Sequence, residues 1–262
     1  METERVTISI EDQVAVVSLN RPEKHNALDM PMFYAIRSAI KTLKQNKSIR
    51  VIIVKGNGES FCSGLDIKSV MNKPINGLKL LWKWWPFNPN LAQIVTIGWR
   101  QLKVPVIMVM HGKCWGGGMQ IALGGDFRIA SPDCSLSVME SKWGLIPDMG
   151  GTAGLSENVP LDQAMKLAMT AEVINSEQAF AKNLITQIED KPITAAKELA
   201  QLLKERSPDT NRLIKKLYYK TWGGKQGSIL AAETFNQWKI FLGKNRNIAV
   251  KRALGNKDID YV

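Results

Sequence analysis

Two short runs without a polar side chain, Val51–Val54 and Val104–Met110, constrain this chain more than any other feature. A strand with one wet face alternates apolar and polar residues, whereas a continuous β-branched run needs apolar cover on both faces. Gly56-Asn57-Gly58 ends the first run, and Pro105 sits near the start of the second, where a strand tolerates proline. Between residues 30 and 44, Phe33, Ile36, Ile40 and Leu43 recur at helical spacing. Strands separated by helices argue for parallel pairing in an α/β core. Val6–Ile10 and Val14–Leu19 read as two further strands about a Glu11-Asp12-Gln13 turn. Phe127–Ala130 and Ser135–Val138 are shorter strand candidates, and Asn20–Asn26 reads as a polar loop.

Beyond about residue 161 the pattern turns helical. Asn175-Ser-Glu-Gln178 has the form of a capping box. Helical periodicity follows through Ala195–Leu203, Arg212–Tyr219, Ile229–Leu242 and Ile248–Leu254. The expectation is a strand-and-helix core to about residue 160 and an all-helical tail.

Pro74–Trp99 holds Trp82, Trp84, Trp85, Phe87 and Trp99. A packed helix with its neighbours is the favoured reading. An apolar wall for a substrate tail, or a subunit contact, is the other.

The chain has 35 Lys+Arg against 24 Asp+Glu, a formal surplus of +11. That charge suits a polyanionic partner (nucleic acid, an acidic membrane or a phosphate-rich cofactor), or serves solubility alone. Cys62, Cys114 and Cys134 are far apart, and His25 and His111 are the only histidines, so no zinc-ligand spacing exists. A reducing compartment fits. The segment METERVTISI lacks a signal-peptide pattern, and no apolar run approaches a membrane span, so a cytoplasmic protein without membrane partners is expected.

Val109–Thr152 gathers the reactive parts. Gly116-Gly117-Gly118 lets backbone approach a ligand, and a helix starting there would aim free N–H groups at it. Glu140 and Asp148 follow downstream.

The segments Asn20–Leu28 (NRPEKHNAL), Phe61–Lys68 (FCSGLDIK), Gly112–Gly118 (GKCWGGG) and Gly144–Thr152 (GLIPDMGGT) together resemble the crotonase superfamily, which contains the enoyl-CoA hydratases and isomerases. The resemblance covers most of the chain and is clearest between residues 14 and 170. It implies a right-handed superhelix of ββα units followed by a C-terminal helical region. On that pattern, residues 1–195 form the spiral core with the acyl-CoA site, and 196–262 serve oligomerisation and site cover. A homotrimer or hexamer is implied. No cofactor is implied beyond coenzyme A as part of the substrate.

The resemblance also implies roles. Backbone N–H groups of Leu65 and Gly117 would hold the thioester oxygen, where an enolate's charge develops; such donors are worth about 3 kcal/mol or more. Lys24, Asn26, Ala27, Leu28, Ser63, Asp66, Ile67, Lys68 and Gly116 would contact the CoA ester, largely by backbone. Hydratases of the family hold a water between two glutamates. Here the first of those positions is Gln120 and the second is Glu140. An amide cannot exchange protons near neutral pH. The family's single-glutamate enoyl-CoA isomerases match better, with Glu140 carrying a proton from C2 to C4. Asp148 would assist as a hydrogen-bonding or second acid group, or serve as a turn residue after Pro147. Hydration proper, a silent acyl-CoA binder and an RNA-binding homologue are the competing expectations. No run of clustered basic residues supports the last, which argues against nucleic acid.

Overall fold

The computed structural model describes residues 4–262 except 86, 225, 226, 228–233, 235, 238, 241, 254, 255 and 257. Its larger sheet has the order β1 (Val6–Glu11), β2 (Val14–Leu19), β3 (Val51–Gly56), β4 (Val106–Met110), β6 (Phe127–Ala130) and β9 (Gln187–Ile188). A smaller sheet joins β5 (Lys113–Trp115), β7 (Ser135–Ser137) and β8 (Ile174–Asn175). Only the β1–β2 and β7–β8 pairs are antiparallel; the rest run parallel. The helices are α1 (Met30–Gln45), α2 (Ile67–Met71), α3 (Pro74–Leu81), α4 (Leu91–Arg100), α5 (Gly117–Ala122), α6 (Gly151–Asn158), α7 (Leu161–Thr170), α8 (Ser176–Ala181), α9 (Pro192–Lys204) and α10 (Pro208–Thr221), and a further helix spans Lys244–Ala253.

The two apolar runs become the central strands β3 and β4, and each side of them finds its own cover. Ile52, Val54, Val106 and Met108 face a core shared with α1 and α4. Val51, Ile53, Ile107 and Val109 face Ala196 and Ala200 of α9. The period of two along a strand thus divides one run between two cores. The predicted α1 stripe is buried at Phe33, Ile36, Ile40 and Leu43, and Asp29 caps the helix by accepting the Met32 N–H at 2.8 Å. α1 lies close against α4 because Gly98 has no side chain. A Cβ there would stand 2.8 Å from Ile40 Cδ1.

Several expectations need correction. The tail is not all helical: β8 and β9 pair with β7 and β6. These strands have two residues each, too short for any periodicity to show. The Asn20–Asn26 loop holds a 3-10 turn at Pro22–Lys24, and both Arg21 and Asn26 are buried. Of the aromatic stretch only Trp99 is packed; Trp82, Trp84, Trp85 and Phe87 are exposed. The predicted capping box at α8 is present in both directions, and α4 carries a second one through Asn90 and Gln93. Most of the expected Ile229–Leu242 helix, and Leu254, lie outside the described residues.

Candidate active site

Three of the four sequence segments meet through main-chain pairing. Cys62 and Cys114 form a parallel bridge: the Cys62 N–H donates to the Lys113 carbonyl at 2.9 Å, and the Trp115 N–H donates to the Cys62 carbonyl at 3.0 Å. Leu28 and Leu65 form another, with the Leu28 N–H donating to the Gly64 carbonyl at 2.8 Å. The glycines permit this contact. Gly64 has φ +92°, and a Cβ on it would lie 2.8 Å from the Trp115 carbonyl oxygen and 3.3 Å from the Gly117 nitrogen. A Cβ on Gly118 would lie 2.2 Å from the Cys62 carbonyl oxygen. Leu65 and Gly117 are thereby brought to one place, at the start of α5. Among the described residues no acceptor takes either N–H. Gly116 turns the chain into α5 at φ +49°, its N–H donating to the Ser137 carbonyl at 2.8 Å.

Glu140 begins a 3-10 turn after β7 and is 8% exposed. Gln120, on α5, is wholly buried beside it. The Gln120 Nε2 donates to Glu140 Oε1 at 2.6 Å, while its Oε1 accepts from the N–H groups of Met149 at 2.9 Å and Gly151 at 3.1 Å. Both ends of the amide are therefore engaged, and Gln120 has its orientation fixed by two main-chain donors. Glu140 Oε2 is buried and has no hydrogen-bond partner. Burial raises the Glu140 carboxyl above the ordinary glutamate range; the Gln120 donor opposes this and the Asp148 charge adds to it. Asp148 stands on the exposed loop before α6, and partial burial raises its carboxyl too. The three cysteines are free and buried, with burial pushing the Cys62 thiol up to about 12, so none presents a thiolate nucleophile.

The expected ester-binding residues divide. Leu28 and Gly116 border the junction just described. Asn26 spends its side chain internally: it accepts the Arg21 N–H at 2.8 Å and donates to the Asn57 and Ser60 carbonyls at 2.9 and 2.8 Å. Asp66 caps α2 through the Ser69 N–H and pairs with Arg21 at 2.8 Å. Ser63 Oγ donates to the Lys24 carbonyl at 3.4 Å. Ile67 and Lys68 open α2, with Lys68 exposed, and Ala27 gives its carbonyl to Arg21. Arg21 is thus the hub of this corner, since it also faces Asp29 at 3.4 Å. Sequence reasoning passed over it; its place inside the Asn20–Leu28 segment was the available signal. The main-chain clamp on Gln120 was also missed. Gly151 is the clue there, since a Cβ on it would press within 2.6 Å of Gln120 Cγ.

The fold is shared with known proteins. A crystal structure of an enoyl-CoA hydratase from Bacillus anthracis is similar at a TM-score of 0.88 and 23% identity, covering 98% of each chain. A short-chain-enoyl-CoA hydratase of Clostridium acetobutylicum is 31% identical over 219 residues, 82% of this chain and 81% of its own. An (E)-benzylidenesuccinyl-CoA hydratase of Thauera aromatica is 30% identical over 207 residues, 78% of this chain and 77% of its own. A family model described as Enoyl-CoA hydratase/isomerase matches residues 9–251. By that match and by these relatives at 30% identity or more, the chain belongs to the enoyl-CoA hydratase/isomerase family of the crotonase superfamily.

Proposed function

We propose that this chain acts on acyl-CoA thioesters through an oxyanion-stabilised enolate, with Glu140 as the only proton carrier. The observation that carries the reading is the engagement of Gln120 at both ends, which leaves one buried, unpartnered oxygen on Glu140. In the proposed reaction, Glu140 takes a proton from C2 of a 3-enoyl-CoA ester. The electron pair of the broken C2–H bond passes into C1–C2 and on to the thioester oxygen, giving a dienolate conjugated with C3–C4 whose charged oxygen the Leu65 and Gly117 N–H groups receive. The dienolate then takes the same proton back at C4, leaving a 2-enoyl ester. No water is consumed and no second acid is needed. The raised pKa of Glu140 suits a group that must both accept and return a proton. Gln120 is a positioning residue in this reading.

Hydration of a 2-enoyl ester is the second reading. Relatives at 30–31% identity bear hydratase names. The Asp148 charge raises the Glu140 carboxyl, and Asp148 is the candidate for the second acid that Gln120 cannot be. Turnover of 3-enoyl-CoA and 2-enoyl-CoA esters by the wild type and by Glu140→Gln distinguishes these. Glutamate-dependent conversion of the 3-enoyl ester with little hydration supports the isomerase. Brisk hydration that collapses in Asp148→Asn supports the hydratase. Tight ester binding without turnover of either would leave a binding protein.

A further inference from the structure

From Ile67 to Gly125 the chain contains no aspartate or glutamate, although lysines recur at Lys68, Lys73, Lys79 and Lys83. The exposed aromatic stretch lies within this carboxylate-free run. Trp84 is 91% exposed and Phe87 is 88% exposed, and Leu78 and Leu81 on α3 are open beside them. Single exposed apolar side chains are ordinary, but a contiguous group of this kind marks a surface that meets something. A second element completes it. Tyr34 and Arg37 on the outer side of α1 line a shallow depression of about 610 Å³ with Leu78, Lys79, Trp82 and Trp84, and no lining residue is acidic. The Arg37 guanidinium sits 5.2 Å from the Tyr34 ring centre, and the Trp82 and Trp84 rings meet edge-on at 6.3 Å.

We propose that this face docks on an anionic phospholipid bilayer, with Trp84 and Phe87 entering the interfacial layer while Arg37, Lys73 and Lys79 face lipid phosphates. Tryptophan suits that layer because its ring is apolar and its N–H is polar, and lysine stems lie along apolar surface with the ammonium in water. Cations beside such aromatics add attraction to anionic headgroups. Charge favours this occupant over a twofold contact between copies of the chain. A twofold contact sets the same patch against itself, so lysines and arginines would face one another with no carboxylate between them. The open leucines of α3 favour lipid over nucleic acid, whose bases stack on aromatic rings. The expectation of no membrane partner rested on the lack of a spanning segment, and surface docking needs none. No helix among the described residues is long and apolar enough to cross a bilayer.

The test is co-sedimentation of the purified full chain with phosphatidylcholine vesicles, with and without phosphatidylglycerol, over a salt series. The expected result is binding to the anionic vesicles alone, weakening as salt rises. Trp84→Ala/Phe87→Ala and Arg37→Ser/Lys79→Ser should each lower the bound fraction by about tenfold or more. These positions are exposed, and far-ultraviolet circular dichroism checks that the variants fold. Absence of vesicle binding, equal binding to neutral vesicles, or undiminished binding by the aromatic variant each overturns the proposal. So does a lower mass in solution for the aromatic variant than for the wild type, which assigns the face to a contact between copies.

Discussion

Glu140 and Asp126 are both sequestered carboxylates, and they are treated oppositely. Asp126, at the turn before β6, accepts from the Val106 N–H at 2.7 Å, Lys215 Nζ at 2.8 Å and the Tyr219 hydroxyl at 2.7 Å. Lys215 in turn donates to the Val104 and Trp99 carbonyls at 3.0 and 3.3 Å. Arg100 lies over the Tyr219 ring at 4.3 Å and pairs with Glu157. Both oxygens of Asp126 have protein partners, and the cluster fastens α10 to the sheet. Glu140 has one oxygen satisfied and one not. A buried acceptor without a partner costs free energy, so a fold retains one where something else uses it. On the proposed reading, the contrast separates a carboxylate that holds elements together from one left open for a substrate.

The largest effect should come from Glu140→Gln, which keeps the shape and removes the proposed proton carrier. Turnover of the responsive enoyl-CoA ester should fall about 10³-fold with the fold intact; comparable turnover in this variant would erase the distinction. Next, Asp126→Ala should cost about 3 kcal/mol in urea unfolding, because it strands the Lys215 ammonium, while activity per folded molecule stays near wild type. A large loss of activity with little loss of stability would reverse the assignments. Gln120→Leu tests the link between Gln120 and Glu140. The Gln120 donor favours the Glu140 carboxylate, so its loss raises the carboxyl further. A base works only above its own pKa, so wild-type kcat/KM should fall as pH drops through the raised Glu140 value. In the variant that fall should begin at higher pH, with kcat lowered about tenfold. An unmoved acid limb would make Gln120 mere filling. The smallest effect should be Asn175→Ala, which removes the α8 cap and touches neither carboxylate's hydrogen bonds. It should cost about 1 kcal/mol in thermal or urea unfolding and leave the pH profile alone.

The same contrast explains what was legible in the sequence. The central strands and α1 could be read because burial on two faces or one stripe imposes a period on neighbouring residues. Glu140, Gln120 and Gly117 could be named through resemblance, since their segments are contiguous. The Asp126–Lys215–Tyr219 cluster could not, because its members lie far apart in sequence and nothing local marks their meeting. The main-chain donors of Met149 and Gly151 were hidden for a different reason: no side chain reports which way an N–H points. The exposure of Trp84 and Phe87 ran against composition, since aromatic residues are the ones expected inside.

The Cys62–Cys114 bridge carries a geometric consequence. Leu65 follows Cys62 by three residues, and Gly117 follows Cys114 by three. Two strands clamped at one rung thus extend matched arms whose tips bear the two N–H groups. The gap between the tips is set by counting from a shared pivot, as the jaws of a caliper are set by its rivet. Any insertion or deletion in one arm would put the jaws out of step, whatever residues were used, so variation in this chain's chemistry has room beyond the jaws and very little along the arms.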